Sequence, residues 1–450
     1  MKKQQALFNF LGALFLLGNV VLIIMVLYYR PLNIDGGFFL PMARDLSVDP
    51  QSISNLKGGY TPLVIMIFAF FIEYFKISDF SFFIFLVVLI QVFNAAILTS
   101  ISHKLISKKK SLLHFLFQFY LFFQFSLEGL NIILEPWVIF FLLLAIFSII
   151  RIKGKKALLL SGIFCGLSFM CKQYGLASLT IVISFMFLVQ KVRFSILPIL
   201  NLLFGFFLST VSIIIVYKYQ LKLNVTDDLS LFSAAQYYGH RSILKSFIGF
   251  SKFLVFITPY FLVLLLWGIN KRTVKNRIFL FVIFSVLLFS PAFYFKQYLH
   301  YFHLVLPFII LISLKLFIDL PQSKKLNRLL IFSIIVSISW SIRAHYVSSS
   351  ISKTKQQEQS QLFKKHIPED AIVYISNNKF QPFRYLCNLT PPLKQIFGYG
   401  FVDNFNDSIN QEMIKNSDFL ILKSDTIYPN FQKIQSLKNI GFIYKKEDLE

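Results

Sequence analysis

The chain has little charge and little cysteine. Only 15% of its 450 residues are charged, and acidic residues number 21 against 45 Lys and Arg. A soluble domain carries roughly 25% charged residues, so the sequence excludes a soluble enzyme and a disordered chain. The three cysteines, Cys165, Cys171 and Cys387, exclude a disulfide scaffold and show no CxxC or metal-ligand spacing. We interpret all three as structural or incidental.

Apolar residues take the place of the missing charge. Hydrophobic residues make up 56% of the chain, Phe occurs 56 times, and the mean hydropathy is +0.66. A membrane-spanning helix needs about 20 mainly apolar residues. Eleven runs approach that length, which predicts an α-helical polytopic membrane protein with about 11 transmembrane helices. The runs cover residues 7–29, 80–101, 111–127, 133–150, 157–171, 174–190, 194–217, 246–269, 278–295, 298–318 and 329–346.

The net charge of +24 lies mainly in short basic clusters between these runs, and no aromatic-basic nucleic-acid motif accompanies it. Every second gap is basic, namely 103–110, 151–156, 191–193, 271–277 and 324–328. The positive-inside rule places these gaps and the N-terminus in the cytoplasm. Parity then predicts a multi-pass protein of the inner (plasma) membrane, with 30–79 and everything after about 347 outside.

Two segments differ from the spanning runs. Residues 62–75 are apolar but short for a span, so we expect an interfacial helix on the outer leaflet. After about residue 347 the chain becomes polar, with strands expected at 371–375, 419–422 and 441–444, and helices near 380–387, 408–416 and 429–438. We therefore expect a transmembrane module over 1–346, with its first outer loop at 30–79, and a small extracytoplasmic α/β domain over 347–450.

Carboxylates on the predicted outer side are candidates for acid–base chemistry. Asp35 follows the first run at the start of an amphipathic segment, where it could equally cap a short helix. Glu128 and Glu135 flank the next outer loop. Since Glu135 and Pro136 begin a helix, a favourable contact with the helix dipole is an equal alternative for Glu135.

Cations occur on the same predicted side. Lys172 lies in a tight turn between two apolar runs, with a snorkelling lysine as the alternative. Lys296, His300, Tyr301 and His303 precede the tenth run, and the two histidines are one helical turn apart. That spacing suits metal or phosphate, and the absence of an acidic or Cys neighbour in the sequence favours phosphate.

An aromatic and basic pair in the loop 218–245 is a further candidate. Tyr238 and Arg241 could contact a sugar or a phosphate, or could belong to an interfacial belt. Taken together, carboxylates can accept a hydroxyl proton, while Lys and His can neutralise a phosphate leaving group. The collection favours transfer from a lipid-phosphate donor.

Short motifs in this order resemble the GT-C superfamily of polyprenyl-phosphate-sugar-dependent glycosyltransferases, in the branch of protein O-mannosyltransferases and the lipid A aminoarabinose transferase. The resemblance covers the whole chain, including the outer α/β tail. The matching positions are Asp35, Phe39, Ala43 and Leu46, then Pro62-Leu63, Glu135-Pro136, the Gly-rich stretch from Gly162 to Gly175, and His300-Tyr301 followed by Pro307.

The resemblance implies a GT-C-like fold with outer juxtamembrane helices and an inverting sugar transfer to an acceptor hydroxyl. It implies Asp35 as the base and Glu135 as an orienting residue, with Lys172, Lys296, His300 and Tyr301 around the donor phosphate. Glu128, His303, Tyr238 and Arg241 remain possible substrate-binding residues. No cofactor and no metal ligand are assigned, and a divalent metal stays open.

The sequence departs from the family at three positions, which leave the acceptor type and any metal open. Gly36 and Thr61 replace residues that the family often has, and Pro41 is expected to interrupt the first juxtamembrane helix. The partners implied are a polyprenyl-phosphate-linked sugar, membrane lipid, and a lipid, glycan or protein acceptor, with no nucleic acid. The sugar and the oligomeric state are not determined.

Two other functions use similar residues. A transporter or flippase of a lipid-linked saccharide would also need outer cations and a lipid-accessible groove, but such proteins usually contain repeated halves and broken helices at the membrane midplane. We find no such repeat, and the ionisable residues are predicted at one face instead of the midplane. A ligase that joins whole glycan chains from a lipid diphosphate is the third possibility.

Overall fold

The structure, a computed structural model, describes residues 2–48, 62–152, 154–191, 196–216, 277–295, 299–319, 324–348, 353–376, 380–390, 411, 414–422, 428–437 and 441–447. These residues form two compact units. The first takes in residues up to Leu27, Ile84–Ile213 and the helices between Arg277 and Ser348. The second takes in Tyr28–Phe83 and the described residues from Lys353 onward.

Most of the described chain is helical. The first helices are α1 (Lys2–Tyr29), α2 (Gly36–Val48), α3 (Leu63–Phe75), α4 (Phe80–Leu105), α5 (Lys110–Gln124), α6 (Glu135–Arg151), α7 (Lys155–Cys171), α8 (Ala177–Ser184) and α9 (Ile196–Ile215). The later ones are α10 (Arg277–Phe295), α11 (Leu306–Asp319), α12 (Lys324–Ser348), α13 (Lys353–His366) and α14 (Pro382–Leu386). Short π-helical turns at Phe125–Gly129 and Phe185–Val189, and 3-10 turns at Gln173–Leu176 and Leu299–Leu304, adjoin some of these helices.

The apolar runs of the sequence coincide with these helices. Ten of the eleven runs fall on helical segments, and the run 246–269 lies outside the described residues. Among the described residues, three helices are long and apolar enough to cross a membrane by length and composition, at Gln5–Val26, Phe80–Leu105 and Ile196–Ile215. An apolar segment favours the helix because a helix satisfies its backbone polar groups internally. The total of about 11 spans stays a prediction, as does the interfacial position of α3.

Small residues allow α7 and α9 of the first unit to approach closely. A Cβ added to Gly162 would overlap the carbonyl oxygen of Leu202, and one added to Gly205 would overlap that of Leu159. Each backbone therefore occupies the space that a side chain on the other helix would need. Such close seams of small residues are typical of helices that associate within lipid.

A four-stranded sheet forms the C-terminal part of the second unit. Its order is β1 (Val373–Ile375), β2 (Phe419–Leu422), β4 (Gly441–Lys446) and β3 (Phe431–Leu437). The β1–β2 pair is parallel, and the other two pairs are antiparallel. Apolar residues cover both faces, with Ile421 and Ile443 on one side and Leu420 and Tyr444 on the other. The predicted strands at 371–375, 419–422 and 441–444 and the helix near 380–387 are confirmed.

The helix predicted at 429–438 is wrong, because this segment is strand β3. Phe431 and Ile434 are three residues apart, a spacing that favours one face of a helix. In the strand they pack on opposite faces of the sheet, as residues an odd number apart do. A register shift between Lys433 and Gln435 further disturbs the alternation that would have indicated a strand. The helix predicted at 408–416 lies largely outside the described residues.

The expected interruption at Pro41 is also wrong, since α2 continues from Gly36 to Val48 with Pro41 inside it. Proline removes one backbone donor and crowds the carbonyl four residues earlier, which costs roughly 3 kcal/mol in a helix interior. All residues from Gly36 to Ala43 are buried, as is Leu46. Burial of this helix offsets the loss of one hydrogen bond.

We expect Gly162→Ala to lower the thermal unfolding midpoint of the detergent-solubilised protein, because the added methyl would overlap the α9 backbone. Overpacking of this kind costs about 1–3 kcal/mol. The matched control is Phe204→Leu on α9, where the side chain is 63% exposed. The close seam would be contradicted if both variants unfolded at the wild-type temperature by differential scanning fluorimetry.

Candidate functional site

Among the described residues of the first unit, one carboxylate, one lysine and two histidines are buried among apolar helices. Glu135, Lys172, His300 and His303 expose between 1% and 7% of their surface. A buried charge without a partner costs several kcal/mol, so such residues are paired and usually functional. Side-chain contacts bring five of the residues predicted from the sequence into one connected group. We call Glu128, Glu135, Lys172, His300 and Tyr301 the charged cluster.

The centre of the charged cluster is the ion pair between Lys172 Nζ and Glu135 Oε1. Glu135 is the first residue of α6, and Pro136 follows it at a position where a helix tolerates proline. Lys172 directly follows α7, in a turn closed by the bond from Gly175 N to its carbonyl oxygen, 2.8 Å long. A side chain on Gly175 would overlap the Ser168 carbonyl, so this turn requires glycine.

Aromatic groups surround the Lys172 ammonium. Its Nζ lies 3.5 Å from the hydroxyl oxygen of Tyr301 and 4.5 Å from the centroid of the Tyr301 ring. The Tyr174 ring centroid is 5.7 Å away, and the two tyrosine rings meet nearly perpendicularly. Cation–π contacts of this kind strengthen when water is excluded. Tyr301 and Tyr174 therefore hold the ammonium beside Glu135.

His300 connects the two carboxylates of the cluster. Its Nδ1 lies 2.7 Å from Glu128 Oε2, and its Nε2 lies 4.0 Å from Glu135 Oε1. The Glu128 side chain is 35% exposed, whereas that of Glu135 is 1% exposed. The sequence shows no acidic neighbour for His300, but the fold brings two carboxylates to it. The cluster therefore has the partly exposed Glu128 at one end and the buried Lys172–Glu135 ion pair at the other.

An irregular corner of the backbone presents Glu128 to His300. Glu128 adopts φ 66°, in the left-handed region, inside the wide turn Phe125–Gly129 that ends α5. His303 Nε2 lies 3.0 Å from the Leu127 carbonyl oxygen and donates to it. His303 was predicted as a possible substrate-binding residue, and the structure places it against the backbone next to Glu128.

Two side-chain amides on α4 donate hydrogen bonds to the backbone, one next to Glu128 and the other next to Glu135. Gln91 Nε2 donates to the carbonyl oxygen of Gly129, next to Glu128. Asn94 Nδ2 donates to the carbonyl oxygen of Pro136, next to Glu135, at 2.9 Å. Sequence reasoning missed both residues. Their signal was two amides three positions apart within the otherwise apolar stretch 82–98, which places them on one helix face.

Asp35 lies in the second unit, where it directly precedes α2. Its backbone carbonyl accepts from Phe38 N and Phe39 N at 3.0 and 2.9 Å, which starts the helix. The Asp35 side chain is half-buried. The helix begins at the residue that the sequence indicated, and both capping and catalysis remain compatible with this position. Lys296, Tyr238 and Arg241 lie outside the described residues.

The described ranges contain no group of three or more His, Cys, Asp or Glu side chains arranged to hold a metal ion. The cysteines are free and buried. Burial raises the pKa of the Cys387 thiol to about 12, which disfavours its thiolate form.

Comparison with known proteins gives a match of fold only. No family model and no curated protein matches the chain. A matching solved structure is the oligosaccharyltransferase of Archaeoglobus fulgidus in the apo form, with a TM-score of 0.52 and 9% sequence identity. The match covers 91% of this chain and 69% of that one. At this level of identity the likeness shows a similar fold alone.

Proposed function

We propose that the protein is a membrane glycosyltransferase that moves a sugar from a polyprenyl-phosphate donor to an acceptor hydroxyl. The observation that carries the proposal is the charged cluster, in which two carboxylates, an ammonium and an imidazole lie together in an apolar helical unit. Buried charges are too costly to be retained for packing alone. The likeness of the fold to an oligosaccharyltransferase supports glycosyl transfer at a coarse level.

The cations of the cluster bind and neutralise the donor phosphate. Lys172 has three donor hydrogens, so it can keep Glu135 and Tyr301 as partners and still donate to a phosphate oxygen. His300 is placed to donate from an imidazolium when Glu128 stabilises its charge. Lys296 is assigned to the same role from the sequence. Glu135 orients Lys172, which fits the orienting role assigned to it.

Asp35 serves as the general base. The acceptor oxygen attacks the anomeric carbon as its proton passes to the Asp35 carboxylate. The bond between that carbon and the phosphate oxygen breaks, and the electron pair leaves with the polyprenyl phosphate. Direct displacement inverts the configuration at the anomeric carbon. Lys172, Lys296 and His300 stabilise the charge that appears on the leaving phosphate.

The basic gaps of the sequence favour the extracytoplasmic face of the inner (plasma) membrane as the place of transfer. A second candidate is transfer of a whole glycan, because the enzyme with the similar fold is an oligosaccharyltransferase by name. The two candidates differ in the donor. Purified protein in detergent can be offered a radiolabelled monosaccharide on polyprenyl monophosphate or an oligosaccharide on polyprenyl diphosphate.

We expect label to move from the monophosphate donor to acceptors in a membrane extract. Transfer from the diphosphate donor alone would establish the second candidate instead. If neither donor supported transfer, while liposomes containing the protein carried a lipid-linked saccharide across the bilayer, the protein would be a flippase.

We expect Asp35→Asn to reduce kcat about 100-fold or more, because the amide cannot accept the hydroxyl proton. The control is Glu73→Gln on α3, an equally isosteric loss of one carboxylate at an exposed position of the same unit. Initial rates of sugar transfer under saturating donor measure the effect. A rate equal to that of the wild type would remove Asp35 from the mechanism.

We expect Lys172→Gln to raise the donor KM about 10-fold or more, because the phosphate loses a charge-assisted hydrogen bond. The control is Lys156→Gln, at an exposed position near the start of α7, the helix that Lys172 follows. Since Lys172→Gln leaves Glu135 uncompensated, the double variant Lys172→Gln with Glu135→Gln is measured beside it. Loss of both charges of a buried pair is often neutral for stability. Unchanged donor KM in a folded double variant would contradict the phosphate assignment.

A further inference from the structure

We propose that the C-terminal domain of the second unit positions the segment that carries Asp35, and that Gln356 is its principal positioning residue. The inference rests on the proposed function in one respect, the assignment of Asp35 as the base. Three separate contacts hold residues 32–44 against α13, α14 and the residues that follow α14.

The first contact is a reciprocal pair of hydrogen bonds. Leu32 N donates to Gln356 Oε1 at 2.8 Å, and Gln356 Nε2 donates to the Leu32 carbonyl at 3.1 Å. Gln356 lies on α13 and is 6% exposed, and Leu32 is 2% exposed. One side chain thereby satisfies both polar backbone groups of a residue three positions before Asp35. An unpaired buried backbone group costs about 1–3 kcal/mol, so the pair fixes this point of the chain.

The second contact is a direct approach of two backbones. A Cβ added to Gly37 would lie 2.5 Å from Pro382 N and 2.6 Å from the carbonyl carbon of Gln381. The first turn of α2 therefore touches the start of α14 without an intervening side chain. Gly37 follows Asp35 by two positions, so the fixed points Leu32 and Gly37 lie on either side of the proposed base.

The third contact anchors the middle of α2. Arg44 Nη1 donates to Asn388 Oδ1 and, at 3.4 Å, to the carbonyl oxygen of Arg384. Its Nη2 donates to the Leu389 carbonyl oxygen at 3.3 Å. These acceptors lie in α14 and directly after it. These bonds attach the middle of α2 to the end of α14 and the residues after it.

The other side of these contacts is tied into the domain core. Arg384 is 1% exposed, and its Nε donates to Gln381 Oε1 at 2.8 Å. Its Nη1 donates to the Val373 carbonyl oxygen of β1 at 3.0 Å. The start of α14 is thus linked to the sheet. The position of the Asp35 segment follows from the packing of the C-terminal domain, which gives this domain a role in the reaction.

A base must be held in a defined geometry, because an error of about 1 Å can cost roughly 100-fold in rate. Gln356→Met keeps the length of the side chain and removes both hydrogen bonds to Leu32. The control is Gln357→Met at the next position, where the side chain is exposed. Hydrogen–deuterium exchange of peptides covering 31–40 reports the positioning, and the transfer assay gives kcat and donor KM separately.

For Gln356→Met we expect faster exchange over 31–40 and a kcat about 10-fold lower, with donor KM changed less than about twofold, because Asp35 handles the proton and not the phosphate. Gln357→Met should match the wild type in all three measurements. Unchanged exchange in Gln356→Met would overturn the proposal. Faster exchange with an unchanged kcat would also overturn it.

A second variant covers the case in which Gln356→Met does not fold. Asn388→Gly removes the Arg44 acceptor and suits the backbone, since Asn388 has φ 55°. Asn388→Gly should also lower kcat while changing donor KM less than about twofold. A kcat equal to that of the wild type would overturn the proposal. Failure of the base assignment is read from Asp35→Asn alone. A fully active Asp35→Asn would end that assignment while the exchange result for Gln356→Met remained interpretable.

Discussion

The ion pair between Lys172 and Glu135 is the interaction on which the first unit depends. Both groups are buried, and neither charge could be kept there alone at a tolerable cost. The pair also explains why two distant chain segments have unusual local structure. A turn that requires Gly175 delivers the ammonium, and the first residue of α6 delivers the carboxylate. Tyr301 and His300 extend the pair into a connected group.

Near this pair the backbone is irregular, and side chains satisfy the backbone groups that the irregularity leaves without helical partners. The wide turn at the end of α5 and the left-handed residue Glu128 interrupt the regular helix, which is costly among apolar neighbours. His303 and Gln91 offset that cost, because they donate hydrogen bonds to the backbone carbonyls on either side of Glu128. Irregular backbone in apolar surroundings is tolerated where other groups satisfy it, and such places usually carry function.

In the second unit, the residues around the start of α2 have partners in the C-terminal helices. Gln356 pairs with both backbone groups of Leu32, and Gly37 packs directly on the start of α14. None of the site residues predicted from the sequence lies in the small C-terminal α/β domain. Its contacts with residues 32–44 give a physical reason for its presence in the chain.

The sequence by itself determined the helices, because apolar runs of this length satisfy their backbone only as helices, and it determined which side chains are unusual there. It also indicated three of the four strands of the described sheet. It did not indicate β3, because the apolar residues of that strand pack on both faces of the sheet. Only the tertiary structure decided the partners. Residues as far apart as Glu128 and His300 meet through helix packing, which leaves no local pattern, and the roles of Gln91, Asn94 and Gln356 depend on backbone groups that become neighbours only after folding.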